Sequence, residues 1–280
     1  MPVIARHERC IIKIYPRSEC FEQVPGDARY VTVWVHGLRL IGLNTRNLGL
    51  WPARKSARGT IPARVERSLT AMYHDTFSAE HVFMFKWSAG FSLEEREKAA
   101  CQLYQALKQV CAEYNVGKNN IKLRLIGFSE GGNVVLSLPK FKDGQPFSVD
   151  ELVLIGTPVQ DVTACNVTDP MFKRVFNLYS SLDAIQIIQP QAKYSVPPTS
   201  RLSTRRFKDS PNLVQAKVRL NGHGMGHFGL EGPDFVSSLD CILRSLNQVL
   251  DCRKQLQDAQ PIKYVVSVHT NRDPSSCPKK

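Results

Sequence analysis

Six short runs rich in β-branched and aromatic residues recur along the chain: "YVTVWV" (30–35), "HVFMFKW" (81–87), "IKLRLI" (121–126), "ELVLIG" (151–156), "RVFNLYS" (174–180) and "VQAKVRL" (214–220). Helical patterns lie among them. Between the second and third runs, Leu103, Leu107, Val110 and Tyr114 share one stripe, with Glu94 and Glu95 in the first turn, where the helix dipole favours acids. After the sixth, Phe235, Leu239, Ile242, Leu246 and Leu250 repeat the helical period. Alternation of this kind specifies an α/β fold, a mainly parallel sheet of about six core strands with helices on both faces. One domain, residues 1–270, accounts for it, with "CIIKIYP" and "IKYVVSV" expected as edge strands and 271–280 as a loose tail.

Two segments break the alternation. Residues 38–62 and 189–212 are rich in Pro, Arg, Ser and Asn, and each follows a predicted strand. Ligands of open α/β sheets bind beyond the carboxyl ends of the strands, so both segments are expected to border a site, in the manner of lids.

A chain of 280 residues buries roughly 75% of its unfolded surface, so its core needs no metal or disulfide staple. The eight cysteines lie far apart without a C-x-x-C pair and read as reduced thiols. The first fifteen residues hold only a four-residue apolar patch, too short for a signal-peptide core. No window approaches the roughly 18 uninterrupted apolar residues of a membrane span. A soluble, cytoplasmic protein is expected, in which the sequon at Asn166 carries no glycan; a chain leaving the cell by a non-classical route would look the same.

The net charge of +12 concentrates at 54–67 and 201–208. Neither stretch interleaves the aromatic residues of a single-strand binding platform, which disfavours nucleic acid as a partner. A solvated basic surface, or attraction to an anionic lipid interface or substrate, accounts for the charge instead.

The chemistry centres on "IKLRLIGFSEGGNVVLSLP" (121–139). Gly127-Phe128-Ser129-Glu130-Gly131 is G-x-S-x-G between a predicted strand and a predicted helix. A serine on so sharp a turn leaves no room for side chains two residues to either side, so Gly127 and Gly131 fit a nucleophile exposed at the end of the sheet. From this stretch alone, Ser129 could equally cap the helix.

A serine nucleophile needs a base, an acid to orient it, and donors for the oxyanion. His223 and His227 both follow the last strand run, and the place of His227 just before the final amphipathic helix favours it. Their spacing of four also suits a metal, but the intervening glycines oppose the helix that would align them. "GMGHFG" (224–229) matches a dinucleotide loop formally, yet lacks the strand-end acid such a site uses. Asp183 and Asp161 each follow a strand run, and Asp183 is favoured because its strand leads almost directly into it. His36, after the first core run, reads as a structural histidine beside Gly37, whose missing side chain allows close approach.

With these residues in order, the chain resembles the serine lipase and esterase branch of the α/β-hydrolase superfamily over about residues 29–250. "FKWSAGFSLEEREKAACQLYQAL" (85–107) is similar to the stretch that precedes the elbow in several lipase-like families. The resemblance implies Ser129 as nucleophile, His227 as base, Asp183 as acid, and the backbone N–H groups of Leu38 and Glu130 as oxyanion donors. It implies no cofactor, a lipid, phospholipid or other ester substrate, and a thioester as the alternative. Lipases usually carry His before the nucleophile, where this chain has Phe128. A scaffold of the same fold that binds a partner or an anionic surface without catalysis is the rival from another class.

Overall fold

In a computed structural model the runs become strands of one sheet. The structure describes residues 10–14, 29–37, 48–55, 61–70, 80–90, 92–117, 121–144, 147–188, 203–256 and 264–269. Nine strands stand among them: β1 (Cys10–Ile14), β2 (Arg29–Val35), β3 (Gly49–Pro52), β4 (Val82–Lys86), β5 (Ile121–Phe128), β6 (Glu151–Ile155), β7 (Val175–Tyr179), β8 (Leu213–Leu220) and β9 (Tyr264–Val268). Their order is β1-β9-β8-β7-β6-β5-β2-β4-β3, and every neighbouring pair is parallel except β3 with β4. The helices are α1 (Ile61–Thr70), α2 (Leu93–Glu113), α3 (Glu130–Leu136), α4 (Asp161–Ala164), α5 (Ile185–Ile188), α6 (Pro233–Val236) and α7 (Leu239–Leu256).

Side chains alternate along each strand and so feed two separate cores. Val31, Val33, Val35, Leu152 and Leu154 pack with α2 and α3 on one face. Trp34, Phe128, Val153 and Ile155 pack with α1, α6 and α7 on the other. The fold is therefore α/β in class, with helices on both faces, and it has more strands than the six core runs because the termini and the 38–62 segment add three.

Of the two expected edge strands, "CIIKIYP" is one, as β1 at the end of the sheet, and β3 takes the opposite edge. "IKYVVSV" is interior, since β9 pairs with both β8 and β1. Part of the supposed lid is regular: β3 lies antiparallel on β4, a 3-10 turn over Ala53–Lys55 follows, and α1 begins at Ile61. Residues 38–47 and 189–202, and the tail at 271–280, lie outside the described residues. The final helical pattern is two helices, because Ser237 and Ser238 both donate their hydroxyls to Asp234 O, at 3.2 and 2.8 Å, and divert the chain between α6 and α7. Among the described residues, no helix is long and apolar enough to cross a membrane. Cys101, Cys111, Cys165, Cys241 and Cys252 are free thiols.

The two ends of the sheet differ in character. At the amino end, Arg124 donates to Glu151 at 2.7 Å, Tyr30 O–H and Asn247 Nδ2 bond the other carboxylate oxygen at 2.8 and 2.9 Å, and the guanidinium lies over the Tyr30 ring. Burial works to raise the Glu151 carboxyl, but Arg124 and the two donors outweigh it and hold it below the usual carboxylate range. At the carboxyl end, β2 and β5 lie side by side while the helices that follow them, α1 and α3, cover opposite faces. Such a divergence opens a crevice between the strand ends.

Candidate active site

The crevice is floored by the turn from β5 into α3. Ser129 sits there with φ 53° and ψ −127°, a conformation a side-chain-bearing residue holds only under constraint. Its side chain makes no capping bond to α3, so the helix-cap alternative is not realised. Its amide bonds Ile155 O on the next strand at 2.8 Å. The flanking glycines have the predicted steric role: a Cβ at Gly127 would meet Gly132 Cα at 2.5 Å, and one at Gly131 would run into the carbonyl oxygens of Val35 and His36.

One expectation fails at this residue. Ser129 is buried rather than displayed, retaining 6% exposure. The loop after β2 leans over it so closely that a Cβ on Gly37 would stand 2.6 Å from Ser129 Cβ and 3.2 Å from its Oγ.

His36 bonds its own loop and Trp87. Trp87 N–H donates to its Nε2 at 3.3 Å, which assigns the proton to Nδ1, 2.6 Å from Gly37 O; the indole of Trp87 also donates to His36 O at 2.9 Å. Leu38 lies outside the described residues.

Asp183 and His227 meet across 44 residues of chain, with His227 Nδ1 2.7 Å from Asp183 Oδ2, the acid fully buried and the histidine nearly so. Carboxylate on Nδ1 assigns that proton and leaves Nε2 as the basic nitrogen. The acid is held from several sides. Gln186 N–H donates to Asp183 Oδ1 at 3.0 Å, and the Gln186 side chain donates to Thr157 O at 2.8 Å. Ser180 Oγ accepts from Met225 N–H at 2.8 Å and so ties the acid's turn to the histidine's loop. His223 is exposed in a hairpin turn with Leu220, and Asp161 is exposed at the start of α4, so neither alternative is part of this pair.

The serine and the pair share one end of the sheet. Gly156, one residue beyond the carbonyl that binds Ser129 N–H, has φ +58°, and a Cβ there would stand 3.1 Å from Asp183 Oδ2 and 3.5 Å from His227 Cε1. Phe128 packs its ring on His227 at 4.9 Å between centroids and on Trp34 at 6.4 Å. Phe228 meets the imidazole edge-on at 5.7 Å.

Three contributions were not read from the sequence. Gly156 looked like the end of a strand. The Glu130 side chain, assigned only its amide, is fully buried in an ion pair with Arg96 at 2.9 Å, with Gln160 donating to it at 3.0 Å and Asn133 at 3.4 Å. Arg205 belonged to a basic run, and it contacts the acid's turn. Only Gly156 left a signal, a glycine directly after a buried strand.

No protein-family model and no curated protein matches the chain. Solved structures similar to it include XC6422 from Xanthomonas campestris, a member of a/b serine hydrolase without lid, at 14% identity over 80% of this chain and 85% of that one, TM-score 0.41. They also include a lipase-esterase related protein from Clostridium acetobutylicum, at 15% over 48% and 44%, TM-score 0.26. A hormone-sensitive lipase from a metagenome library aligns at 10% over 86% and 68%, TM-score 0.31.

Proposed function

We propose that this chain, α/β-hydrolase-like in its fold, is a serine hydrolase that cleaves carboxylic esters. The observation that carries the proposal is the conjunction at one end of the sheet: a strained serine that caps nothing, and a buried aspartate–histidine pair beside it. In the mechanism, His227 Nε2 takes the Ser129 proton as Oγ attacks the ester carbonyl, and Asp183 stabilises the imidazolium that forms. The Ser129 amide is already bonded to Ile155 O, so the elbow's oxyanion donor is the next amide, that of Glu130, with Leu38 N–H as the second. His227 then returns the proton to the leaving alcohol, and a water activated by the same nitrogen releases the acyl group.

A lipid or other apolar ester is the substrate class we favour. Leu182, Ile185, Ile188 and Phe228 are large apolar side chains left exposed, and they sit on the two segments that carry Asp183 and His227. Water-soluble esters and thioesters would react by the same route.

A fluorophosphonate probe tests the proposal. Wild type should be labelled and Ser129→Ala should not, and a folded wild type that resists the probe would leave the non-catalytic scaffold as the better description. Among p-nitrophenyl esters, longer acyl chains should give the higher kcat/KM.

A further inference from the structure

We infer that Arg205 is a positioning residue for the acid–base pair, an inference that rests on the serine-hydrolase proposal above. Arg205 Nη2 donates to the carbonyl oxygen of Asp183 at 2.8 Å and to that of Ser181 at 3.2 Å. One guanidinium thus grips the turn between β7 and α5 at the acid itself and two residues before it. Bonds from a charged donor are stronger than those between neutral groups, and both here leave one nitrogen, Nη2, of the planar guanidinium fork.

The grip comes from a fixed base. Asn177 on β7 donates to Arg205 O at 2.9 Å, and Val159 N–H donates to Thr204 O at 2.9 Å. Gln215 on β8 accepts from Phe207 N–H at 2.8 Å and donates to Phe207 O at 3.0 Å. Anchors on two strands, β7 and β8, and an isolated bridge to Val159 therefore stand behind a half-buried side chain whose Nη2 bonds backbone carbonyls.

The consequence concerns direction. Asp183 belongs to no strand or helix: Gln186 N–H holds its Oδ1, while its backbone donates to Ser180 O at 3.3 Å and accepts from Arg205. Loss of the fork would let the turn rotate about the remaining bonds and swing Oδ2 off His227 Nδ1. Arg205 bonds the carbonyl oxygens of the turn and not its apolar side chains, so turnover should suffer and substrate binding should not. The adjacent Arg206 is a built-in control, since it makes an ion pair with Asp209 at 3.4 Å.

Arg205→Gln, Arg205→Lys and Arg206→Gln should be compared with wild type by fluorophosphonate labelling rate and by kcat and KM on p-nitrophenyl butyrate. Arg205→Gln is expected to lower the labelling rate and kcat by about 10- to 100-fold with KM unchanged, the scale of a slight misplacement of catalytic groups. Methylguanidinium added to Arg205→Ala should restore part of the loss, and Arg206→Gln should match wild type. If Arg205→Gln does not fold, Arg205→Lys, which keeps the charge but not the fork, should be intermediate. Wild-type rates in Arg205→Gln or Arg205→Lys, or an equal loss in Arg206→Gln, would overturn the inference. An unlabelled wild type would instead remove the proposal on which it stands.

Discussion

Gly156 shows how a residue without a side chain can govern a site. Its φ of +58° lies in the left-handed region, and a Cβ there would press on Asp183 Oδ2 and Leu230 Cδ1, each at 3.1 Å, with His227 Cε1 in ordinary contact at 3.5 Å. Alanine would add backbone strain and press on the pair from behind. Gly156→Ala should destabilise the fold by about 1–3 kcal/mol, the usual range for a strained backbone position, and should lower kcat by more than that loss of stability explains. Urea denaturation alongside esterase kinetics would check both. Phe128 resolves at the same scale: the residue standing where lipases have histidine is an apolar plate between Trp34 and the His227 imidazole. The Asp183–His227 contact was legible because both residues follow strand runs at one end of the sheet. What pressed against them was not, because contact partners leave no period in a sequence.

Between elements, the joint that matters is α2 against α3. Arg96 reaches from α2 to Glu130, the first residue of α3, and both are buried with Gln160 between them, which itself accepts from Arg96 at 2.5 Å. The pair spans the two helices that cover one face of the sheet and holds the turn whose amide would serve the oxyanion. Removing one member leaves the other charged and dry, so Arg96→Met should cost about 3–5 kcal/mol. Pairing it with Glu130→Leu should recover much of that, as thermal unfolding of both variants would record. The strands β2 and β4 to β8 were legible because compact runs of β-branched and aromatic residues recur there, nearly continuous in β6 and alternating with Lys or Arg in β5 and β8. The edge strand β3 was hidden by Pro52 and the polar residues around it, and the break between α6 and α7 by an apolar period that continues through two serines.

Over the whole molecule, a net charge of +12 accompanies an apolar rim at one end of the sheet. Were the proposed substrate to lie in an anionic lipid surface, charge would draw the protein in and Leu182, Ile188 and Phe228 would rest on the acyl layer. Binding to vesicles containing phosphatidylserine should weaken steeply as salt rises and the Debye length falls from about 10 Å at 0.1 M toward 3 Å at 1 M. Leu182→Asp with Phe228→Asp should reduce it further at every salt concentration. Equal binding to neutral vesicles would argue against the charge term. The basic run at 201–208 illustrates why composition alone was a partial guide: Arg205 turns inward, and the sum of charges does not record which of them faces water.

The contact between Asp183 and His227 also sets an order in time. A ribosome delivers the serine first, then the acid, and the histidine only 44 residues after that. On the proposed mechanism, until β8 has emerged and docked beside β7, a growing chain would carry its attacking hydroxyl without anything to remove the proton. The nascent protein would thereby be unarmed through most of its own synthesis, and a product truncated before the last strands would be inert however well its first half had folded.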